Sequence, residues 1–346
     1  MRKALITGIT GRNSAEKIGT IPIPHKKTAY NKSIEKRVIL ITGGAGFIGS
    51  LLAPELLNRG YKVTVLDNLM YDNGNTLLYC FINNNFRFIK GDIREIKIVE
   101  EALKDADIII HLAAIVGYPA CKKDQRIAKE VNLEGTKIIN ELRSKNQTVI
   151  FASTSSNYGH QEDGICTEET PLNPLTLYGE TKTQSECVLL ETGNAIVFRF
   201  ATGFGLSPRL RLDLLINDFV FQVLKRKQLI VYEKHYKRAF IHVRDMVRSF
   251  AFAIENCNKM LDQVYNVGSD DLNLTKEEIA LAIKRKTDFL LHFTDVGRDD
   301  DQRNFALSYK KIGTLGFETT VSLEDGLDEL IHGLDLIEIK NEYSNI

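Results

Sequence analysis

The feature that most constrains this chain is the segment Gly-Gly-Ala-Gly-Phe-Ile-Gly at 43–49, which directly follows the apolar run 37–42. In a GxxGxxG turn between a strand and a helix, the first glycine turns tightly and the second lets the backbone approach a pyrophosphate. The third lets helix and strand pack closely. The helix start then offers free N–H groups to phosphate, although glycines alone also suit an ordinary tight turn. The predicted dinucleotide-binding residues of this turn are Gly43, Gly46, Phe47, Ile48 and Gly49.

An acidic residue strengthens the dinucleotide interpretation. The second predicted strand, 62–67, ends in Asp67 and is followed by Asn68. A carboxylate at this point hydrogen-bonds the adenosine ribose hydroxyls, and its charge repels a 2′-phosphate. Because no arginine follows closely, the sequence favours NAD over NADP.

The chain alternates between apolar strands and amphipathic helices as far as residue 200, which predicts an α/β fold with a doubly wound parallel sheet, the Rossmann fold. Hydrophobic residues make up 43% of the chain, enough for a sizeable core. The predicted strands are 37–42, 62–67, 86–89, 107–112, 148–152 and 195–200, and the predicted helices are 47–58, about 126–143 and 175–190.

The pattern changes after Gly205, which predicts a smaller C-terminal α/β lobe that binds substrate. We expect an NAD-binding domain at 37–203 and the second lobe at 204–346, with the segment after Arg238 returning to the Rossmann half. The predicted elements of this region are strands 229–232, 239–242 and 264–267, and helices at about 212–225, 243–256, 275–285 and 323–333.

The first 36 residues carry a second glycine pattern, at 3–11, that is similar to the opening of GDP-mannose 4,6-dehydratases. Its third glycine position holds Ser14, and no helix or second strand follows. One sheet has room for one first strand, and 37–42 is connected to everything downstream. We therefore interpret 1–36 as a nonfunctional extension, the alternative being an added role.

A second constellation indicates proton transfer. Tyr178 and Lys182 are four residues apart on a predicted helix, so they share a face. An unperturbed tyrosine has a pKa of about 10, and a neighbouring ammonium together with a positive nicotinamide favours the phenolate. Tyr178 can then act as a general base. A hydroxyl should stand beside it, and several residues of 153–156 could supply one from composition alone.

Composition excludes several other classes. Lys+Arg and Asp+Glu balance at 45 each, so no broad charge favours nucleic acid or membranes. Five scattered cysteines without a CxxC pair fit free thiols in a reducing compartment, and a cytoplasmic location is expected. No His/Cys/Asp spacing predicts a metal. His111, at a strand end, is interpreted as a core or cleft-lining histidine and not as a base.

From 37 to about 335 the chain resembles the extended short-chain dehydrogenase/reductases, the NAD-dependent sugar epimerase/dehydratase group. The resemblance rests on 42–49, 67–68, 91–93, 111–114, Thr154 with 158–159, 178–182 and 199–205. It implies that Thr154 is the catalytic hydroxyl beside Tyr178 and Lys182. It also implies a homodimer formed through the helices at 126–143 and 175–190. The further cofactor-lining residues that it implies are Asp92, Ile93, Leu112, Ala113 and Ala114.

Two departures from the family pattern narrow the reaction. Related 4,6-dehydratases follow the catalytic threonine with Asp-Glu, whereas this chain has Ser155 and Ser156, which cannot carry a proton as carboxylates do. Epimerases usually have asparagine where this chain has Thr202. The segments 68–72, 201–219 and 238–245 look like the GDP-heptose C4 dehydrogenases of bacterial capsule synthesis. That resemblance implies oxidation of a sugar 4-hydroxyl on a GDP-sugar.

Arginines of the second lobe suit the diphosphate of a nucleotide-sugar, because guanidinium forks match phosphate oxygens. The predicted function is NAD-dependent oxidation of a sugar hydroxyl, at C4, in surface polysaccharide biosynthesis. A 4-epimerase that returns the hydride is the alternative; a dehydratase and a non-enzymatic NAD-binding regulator rank lower. The predicted substrate-binding residues are Thr202, Arg209, Arg211, Arg238 and Arg303.

Overall fold

The computed structural model describes residues 37–161, 164–297, 304–337 and 345. The extension 1–36 and the candidate Arg303 lie outside the described residues. The strands in chain order are β1 (Val38–Thr42), β2 (Lys62–Asp67), β3 (Phe86–Lys90), β4 (Ile108–His111), β5 (Thr148–Thr154), β6 (Ile165–Cys166), β7 (Ala195–Phe200), β8 (Thr202–Phe204), β9 (Gln228–Tyr232), β10 (Lys237–His242), β11 (Gln263–Val267), β12 (Asn273–Thr275), β13 (Leu290–Thr294) and β14 (Ala306–Leu307).

The central element is a seven-stranded parallel sheet with the order β11-β7-β5-β4-β1-β2-β3. Every residue of β4 and β7 is buried, as expected for parallel strands that helices cover on both faces. The predicted Rossmann fold is therefore confirmed. The strand order reverses between β1 and β4, and at such a switch point ligands bind beyond the carboxyl ends of the strands.

The helices follow the predicted positions closely, with one exception in shape. The long helix predicted at about 126–143 is two α-helices joined by a π-helical turn, Glu130–Glu134. A 3₁₀ segment at Gly74–Ile82 was not predicted. The α-helices are α1 (Gly49–Asn58), α2 (Ile96–Leu103), α3 (Tyr118–Lys123), α4 (Gln125–Lys129), α5 (Gly135–Leu142), α6 (Leu177–Thr192), α7 (Leu215–Arg226), α8 (Val243–Glu255), α9 (Cys257–Met260), α10 (Lys276–Lys286), α11 (Lys310–Gly313) and α12 (Leu323–Asp335).

Two hydrophobic clusters cover the two faces of the sheet, because successive strand residues point to opposite sides. Ile39 and Ile41 of β1 belong to one cluster with Phe250 of α8, whereas Leu40 belongs to the other with Ile139 of α5. Burying one such side chain stabilises the fold by about 1.5–3 kcal/mol. The two clusters thus hold the sheet between its helices, and with it the carboxyl ends of its strands.

The second lobe has a core of its own, which includes Phe204, Val220, Phe240 and Leu330. Part of the region after residue 204 nevertheless belongs to the main sheet. The strand β11 pairs with β7, and α8 contributes to the cluster around β1. The region after residue 204 therefore contributes both to the main sheet and to the separate core of the second lobe. Within the described ranges, no helix is long and apolar enough to cross a membrane.

Candidate active site

The glycine turn after β1 has the tight geometry that its sequence predicts. Gly43 has φ +70°, and a Cβ there would lie 2.7 Å from the backbone of Ala113. A Cβ at Gly49 would lie 2.5 Å from the Cα of Gly44, so this glycine lets α1 approach the end of β1. Any larger residue at either position would force the backbone apart. The turn thus leaves a cradle lined by backbone at the start of α1.

Asp67 holds this turn in place from the neighbouring strand. One carboxylate oxygen accepts the Ala45 N–H at 3.0 Å, and the other accepts the Leu69 N–H at 2.8 Å. Burial raises the pKa of Asp67, and the two backbone hydrogen bonds oppose that shift. Each carboxylate oxygen has a second lone pair, so Asp67 can fix the turn and still accept from ribose hydroxyls.

Asn68 and Asp92 lie together at the next strand ends. The Asn68 amide donates to Asp92 at 3.0 Å, and Arg94 donates to the same carboxylate. Burial raises the pKa of Asp92, but the Arg94 and Asn68 hydrogen bonds outweigh it and hold that pKa below its usual range. The carboxylate is therefore ionised at the rim of the predicted adenine position.

One cleft at the carboxyl edge of the sheet brings the predicted residues together. Among the predicted residues that the structure describes, Arg238 alone does not line this cleft. Arg238 lies on β10, opposite Leu274 of β12, and its contact with substrate stays a prediction. The predicted residues that line the cleft are Gly43, Gly46, Phe47, Ile48, Gly49, Asp67, Asn68, Asp92, Ile93, Leu112, Ala113, Ala114, Thr154, Tyr178, Lys182, Thr202, Arg209 and Arg211.

The helix α6 presents Tyr178 and Lys182 to this cleft. Thr176 caps the helix by accepting the Gly179 N–H at 3.2 Å, so the half-buried Tyr178 lies in the first turn. A Cβ at Gly179 would lie 3.2 Å from the carbonyl oxygen of Ser156. This glycine therefore lets the start of α6 pack directly on the turn that follows β5.

Lys182 lies one helical turn further on and is 2% exposed. Its ammonium donates to the Ala152 carbonyl at 2.8 Å and lies 4.4 Å from the centre of the Phe151 ring. Burial lowers the pKa of Lys182 to about 7, while Cys121 and Glu186 oppose the shift. The group is thus anchored to β5 and sensitive to any charge or hydrogen-bond acceptor that enters the cleft.

Thr154 ends β5 and is held by the turn that follows. Its hydroxyl accepts the Ser156 N–H at 3.1 Å and donates to the Ser156 hydroxyl at the same distance. Ser155 is buried and does not line the cleft, and Ser153 donates to the Glu186 carboxylate. Of the hydroxyls at 153–156, the geometry thus favours Thr154, with Ser156 beside it.

His111 is a core histidine, as its position predicted. Its ring nitrogens contact the hydroxyls of Thr42 at 2.7 Å and Thr136 at 2.9 Å. Burial, with the nearby Lys182 charge, lowers the pKa of His111 to about 3. The ring is therefore neutral and fastens β4 to its neighbours.

The two cleft arginines of the second lobe differ in their surroundings. Arg211 pairs with Asp213 through two guanidinium nitrogens, at 2.8 and 2.5 Å. Arg209 is 4% exposed, lies 5.1 Å from the Tyr71 ring centre and donates to the Asn345 side chain at 3.1 Å. Both guanidinium groups line the same cleft as Tyr178, where a cation suits an anionic ligand, although Asp213 already balances the charge of Arg211.

Several cleft or support residues were missed by sequence reasoning. Tyr71 and Asn73 line the cleft, and the Asn73 Oδ1 atom is buried with no hydrogen-bond partner in the described part of the chain. Asn132, in the π-helical turn, accepts the Ile115 N–H at 2.7 Å. The position of Glu186 near the site could have been predicted from the sequence, since Glu186 lies four residues beyond Lys182 and therefore on the same face of the helix.

A tyrosine, a lysine and a threonine line the same cleft as the glycine turn, and this arrangement fits an enzyme that uses a bound dinucleotide. The model of the NAD dependent epimerase/dehydratase family matches residues 39–268. The chain belongs to this family, whose members are NAD-dependent enzymes of the extended short-chain dehydrogenase/reductase type.

Individual relatives span nearly the same length. The chain is 31% identical to the low-salt glycan biosynthesis protein Agl12 of Haloferax volcanii, over 85% of this chain and 97% of the relative. It is also 31% identical to a dTDP-glucose 4,6-dehydratase of Streptomyces niveus, over 85% and 91%. A Bacillus cereus UDP-glucuronic acid 4-epimerase, solved with UDP-glucuronic acid and NAD, aligns with a TM-score of 0.76 at 28% identity, over 86% and 99%.

The residues present fit NAD, the cofactor of the family. Gly43 and Gly49 keep the turn tight, so that its backbone lines the cleft at the start of α1, and Asp67 keeps acceptor capacity beside it. The buried Asn73 Oδ1 atom offers a further acceptor for a ribose or amide donor. The glycine turn would hold the pyrophosphate, Asp67 the adenosine ribose and Lys182 the nicotinamide ribose.

Proposed function

We propose that this chain oxidises a hydroxyl, at C4, of a nucleotide-diphosphate sugar, in surface polysaccharide biosynthesis. The observation that carries the proposal is that Thr154, Tyr178 and Lys182 line the same cleft as the glycine turn and Asp67. A related glycan biosynthesis protein and relatives named for nucleotide-sugars support this substrate class.

Each residue of the set has a separate task. Tyr178 takes the proton of the sugar hydroxyl as general base, and the Thr154 hydroxyl hydrogen-bonds the same oxygen. The Lys182 ammonium stabilises the phenolate and holds the cofactor ribose. When bound, NAD⁺ supplies the hydride acceptor. Arg209 and Arg211 meet the diphosphate charge of the substrate.

The turn after Thr154 argues against water elimination. Removing water across a carbon–carbon bond needs an acid and a base, and carboxylates serve both roles in the related dehydratases. Here Ser155 is buried away from the cleft and Ser156 bonds the Thr154 hydroxyl. The chain therefore stops at the keto sugar or returns the hydride to it.

The finer identity of the substrate rests on resemblance. The segments 68–72, 201–219 and 238–245 favour a GDP-linked heptose, whereas two of the relatives are named for dTDP-glucose and UDP-glucuronic acid. A C4 dehydrogenase releases the 4-keto product. A 4-epimerase is the second candidate, and the Bacillus cereus structure supports it. It differs from the dehydrogenase because the keto sugar rotates within the cleft and takes the hydride back on its other face.

The test is a product analysis with NAD and a panel of GDP-, UDP- and dTDP-sugars, using NADH absorbance, mass spectrometry and NMR. Loss of two hydrogens supports the dehydrogenase, and unchanged mass with a new stereocentre supports the epimerase. Loss of water, or no reaction with any nucleotide-sugar, would overturn the proposal.

We also propose a cytoplasmic homodimer that associates through the helical pair α4–α5 and α6. Both helical segments run beside the cleft, since Val131 of the π-helical turn and Lys182 of α6 line it. Light scattering of the purified chain tests the assembly: a mass of twice 39.1 kDa is expected, and a monomer would contradict it.

A further inference from the structure

The loop 68–73 connects β2 to the 3₁₀ segment and is tied at both ends to one residue of the glycine turn. At its start, the Asp67 carboxylate accepts the Ala45 N–H at 3.0 Å. At its end, the Asn73 amide donates to the Ala45 carbonyl at 2.7 Å, and the Thr76 hydroxyl donates to the same oxygen at 3.1 Å. A shift of the turn must therefore move the loop.

The loop has an unusual backbone. Leu69 and Asp72 both have left-handed conformations, with φ 56° and φ 51°. This region is unfavourable for residues other than glycine and persists where the surroundings impose it, often at functional sites. The Asp72 N–H donates to the Leu69 carbonyl at 3.0 Å and closes the turn. Between these two residues the loop presents Tyr71 to the cleft.

Tyr71 reaches across to the second lobe. The Arg209 guanidinium lies 5.1 Å from the centre of the Tyr71 ring, and both side chains line the cleft. Arg209 is nearly buried and also donates to the Leu210 carbonyl and the Asn345 side chain. A guanidinium over an aromatic face is attracted by the ring, the more so when water is excluded. The ring is therefore one of the contacts that orient this cation.

We propose that Tyr71 is a positioning residue that couples the dinucleotide turn to Arg209, so that NAD tightens the binding of a nucleoside diphosphate. The inference rests on the proposed nucleotide-sugar substrate. NAD bound at the glycine turn would restrain Ala45, which is hydrogen-bonded to both ends of the loop 68–73. The loop in turn places the Tyr71 ring against the Arg209 guanidinium. Because such coupling is reciprocal, the diphosphate also tightens NAD binding.

The test measures Kd by calorimetry for GDP, UDP and TDP on the full chain, with and without saturating NAD. In the wild type, we expect NAD to tighten the preferred nucleotide by about tenfold. In Tyr71→Ala, the nucleotide should bind about tenfold more weakly with NAD present, and the effect of NAD should largely disappear. Tyr71→Phe keeps the ring and should rescue both quantities.

Tyr79→Ala is the matched control, because Tyr79 lies on the next segment, is 73% exposed and is not a lining residue. It should behave as the wild type. If Tyr71→Ala binds the nucleotide as tightly as the wild type and shows the same effect of NAD, the inference is overturned. It is also overturned if the variant binds the nucleotide more weakly but NAD still tightens binding as in the wild type. If the wild type binds none of the three nucleotides, the proposed substrate class fails first, and the inference with it.

Discussion

The ammonium of Lys182 donates a 2.8 Å hydrogen bond to the carbonyl oxygen of Ala152, two residues before Thr154 on the neighbouring strand. This contact fastens the helix that carries Tyr178 to the strand that carries the threonine. It also buries a cation, which has a measurable consequence for stability.

The first prediction concerns pH. Burial lowers the pKa of Lys182 to about 7 from its usual value of 10.5. Between these pH values the unfolded chain binds a proton that the folded chain lacks, so this group makes the free energy of unfolding rise with pH. Urea unfolding across that window should show a shallower rise in Lys182→Met than in the wild type. The exposed Lys129→Met is the control, and equal slopes in all three proteins would contradict the prediction.

The second prediction concerns the buried ion pair beside the site. Glu186 accepts from Arg199 at 2.8 Å, and both side chains are almost fully buried. Glu186→Gln leaves the arginine charge without its counter-ion, which should destabilise the fold by about 3–5 kcal/mol. Glu186→Gln combined with Arg199→Met removes both charges and should recover much of that loss. Denaturant midpoints measure it, and a double variant no more stable than the single one would refute this account.

The third prediction concerns cofactor affinity. Asp67→Asn removes the charged acceptor that supports the turn and the predicted ribose contact, so the Kd for NAD should rise roughly tenfold to a hundredfold. Discrimination against NADP should fall as well, because the repulsive charge is gone. Asp72→Asn is the matched control, since Asp72 is exposed in the loop that follows Asp67 and asparagine tolerates its left-handed backbone. An unchanged Kd in Asp67→Asn would remove Asp67 from the NAD site.

The fourth prediction concerns the hydroxyl. Thr154→Val keeps the shape but loses the hydrogen bond to the reacting oxygen, so kcat should fall about a hundredfold or more while NAD binding persists. Thr154→Ser should retain most of the activity. Ser155→Ala, buried outside the cleft, serves as the neighbouring control. If Ser155→Ala were as impaired as Thr154→Val, the hydroxyl would have been assigned wrongly.

The sheet and the cofactor turn were predictable because their signals are local. Each local structure is predicted by a pattern only a few residues long: the apolar run, the three glycines of the turn, and the strand that ends in Asp67. Tyr178 and Lys182 were accessible for the same reason, since helical spacing alone places them on one face.

What could not be predicted depends on contacts between distant segments. Tyr71 meets Arg209 across more than a hundred residues, and no periodicity reports such a pairing. The loop that carries Tyr71 depends on the left-handed backbone conformations of Leu69 and Asp72. These conformations cannot be predicted from the residue types. The π-helical turn at Glu130–Glu134 could not be predicted either, because a single such turn barely changes the apolar spacing of the segment.

The most direct test of the central claim is NADH formation by the wild type and Tyr178→Phe with NAD and the preferred nucleotide-sugar. The account predicts that the variant binds NAD as the wild type does, yet forms NADH and keto sugar at least about a hundredfold more slowly. Near-normal turnover by Tyr178→Phe would contradict it, because the proton would then leave the sugar by another group.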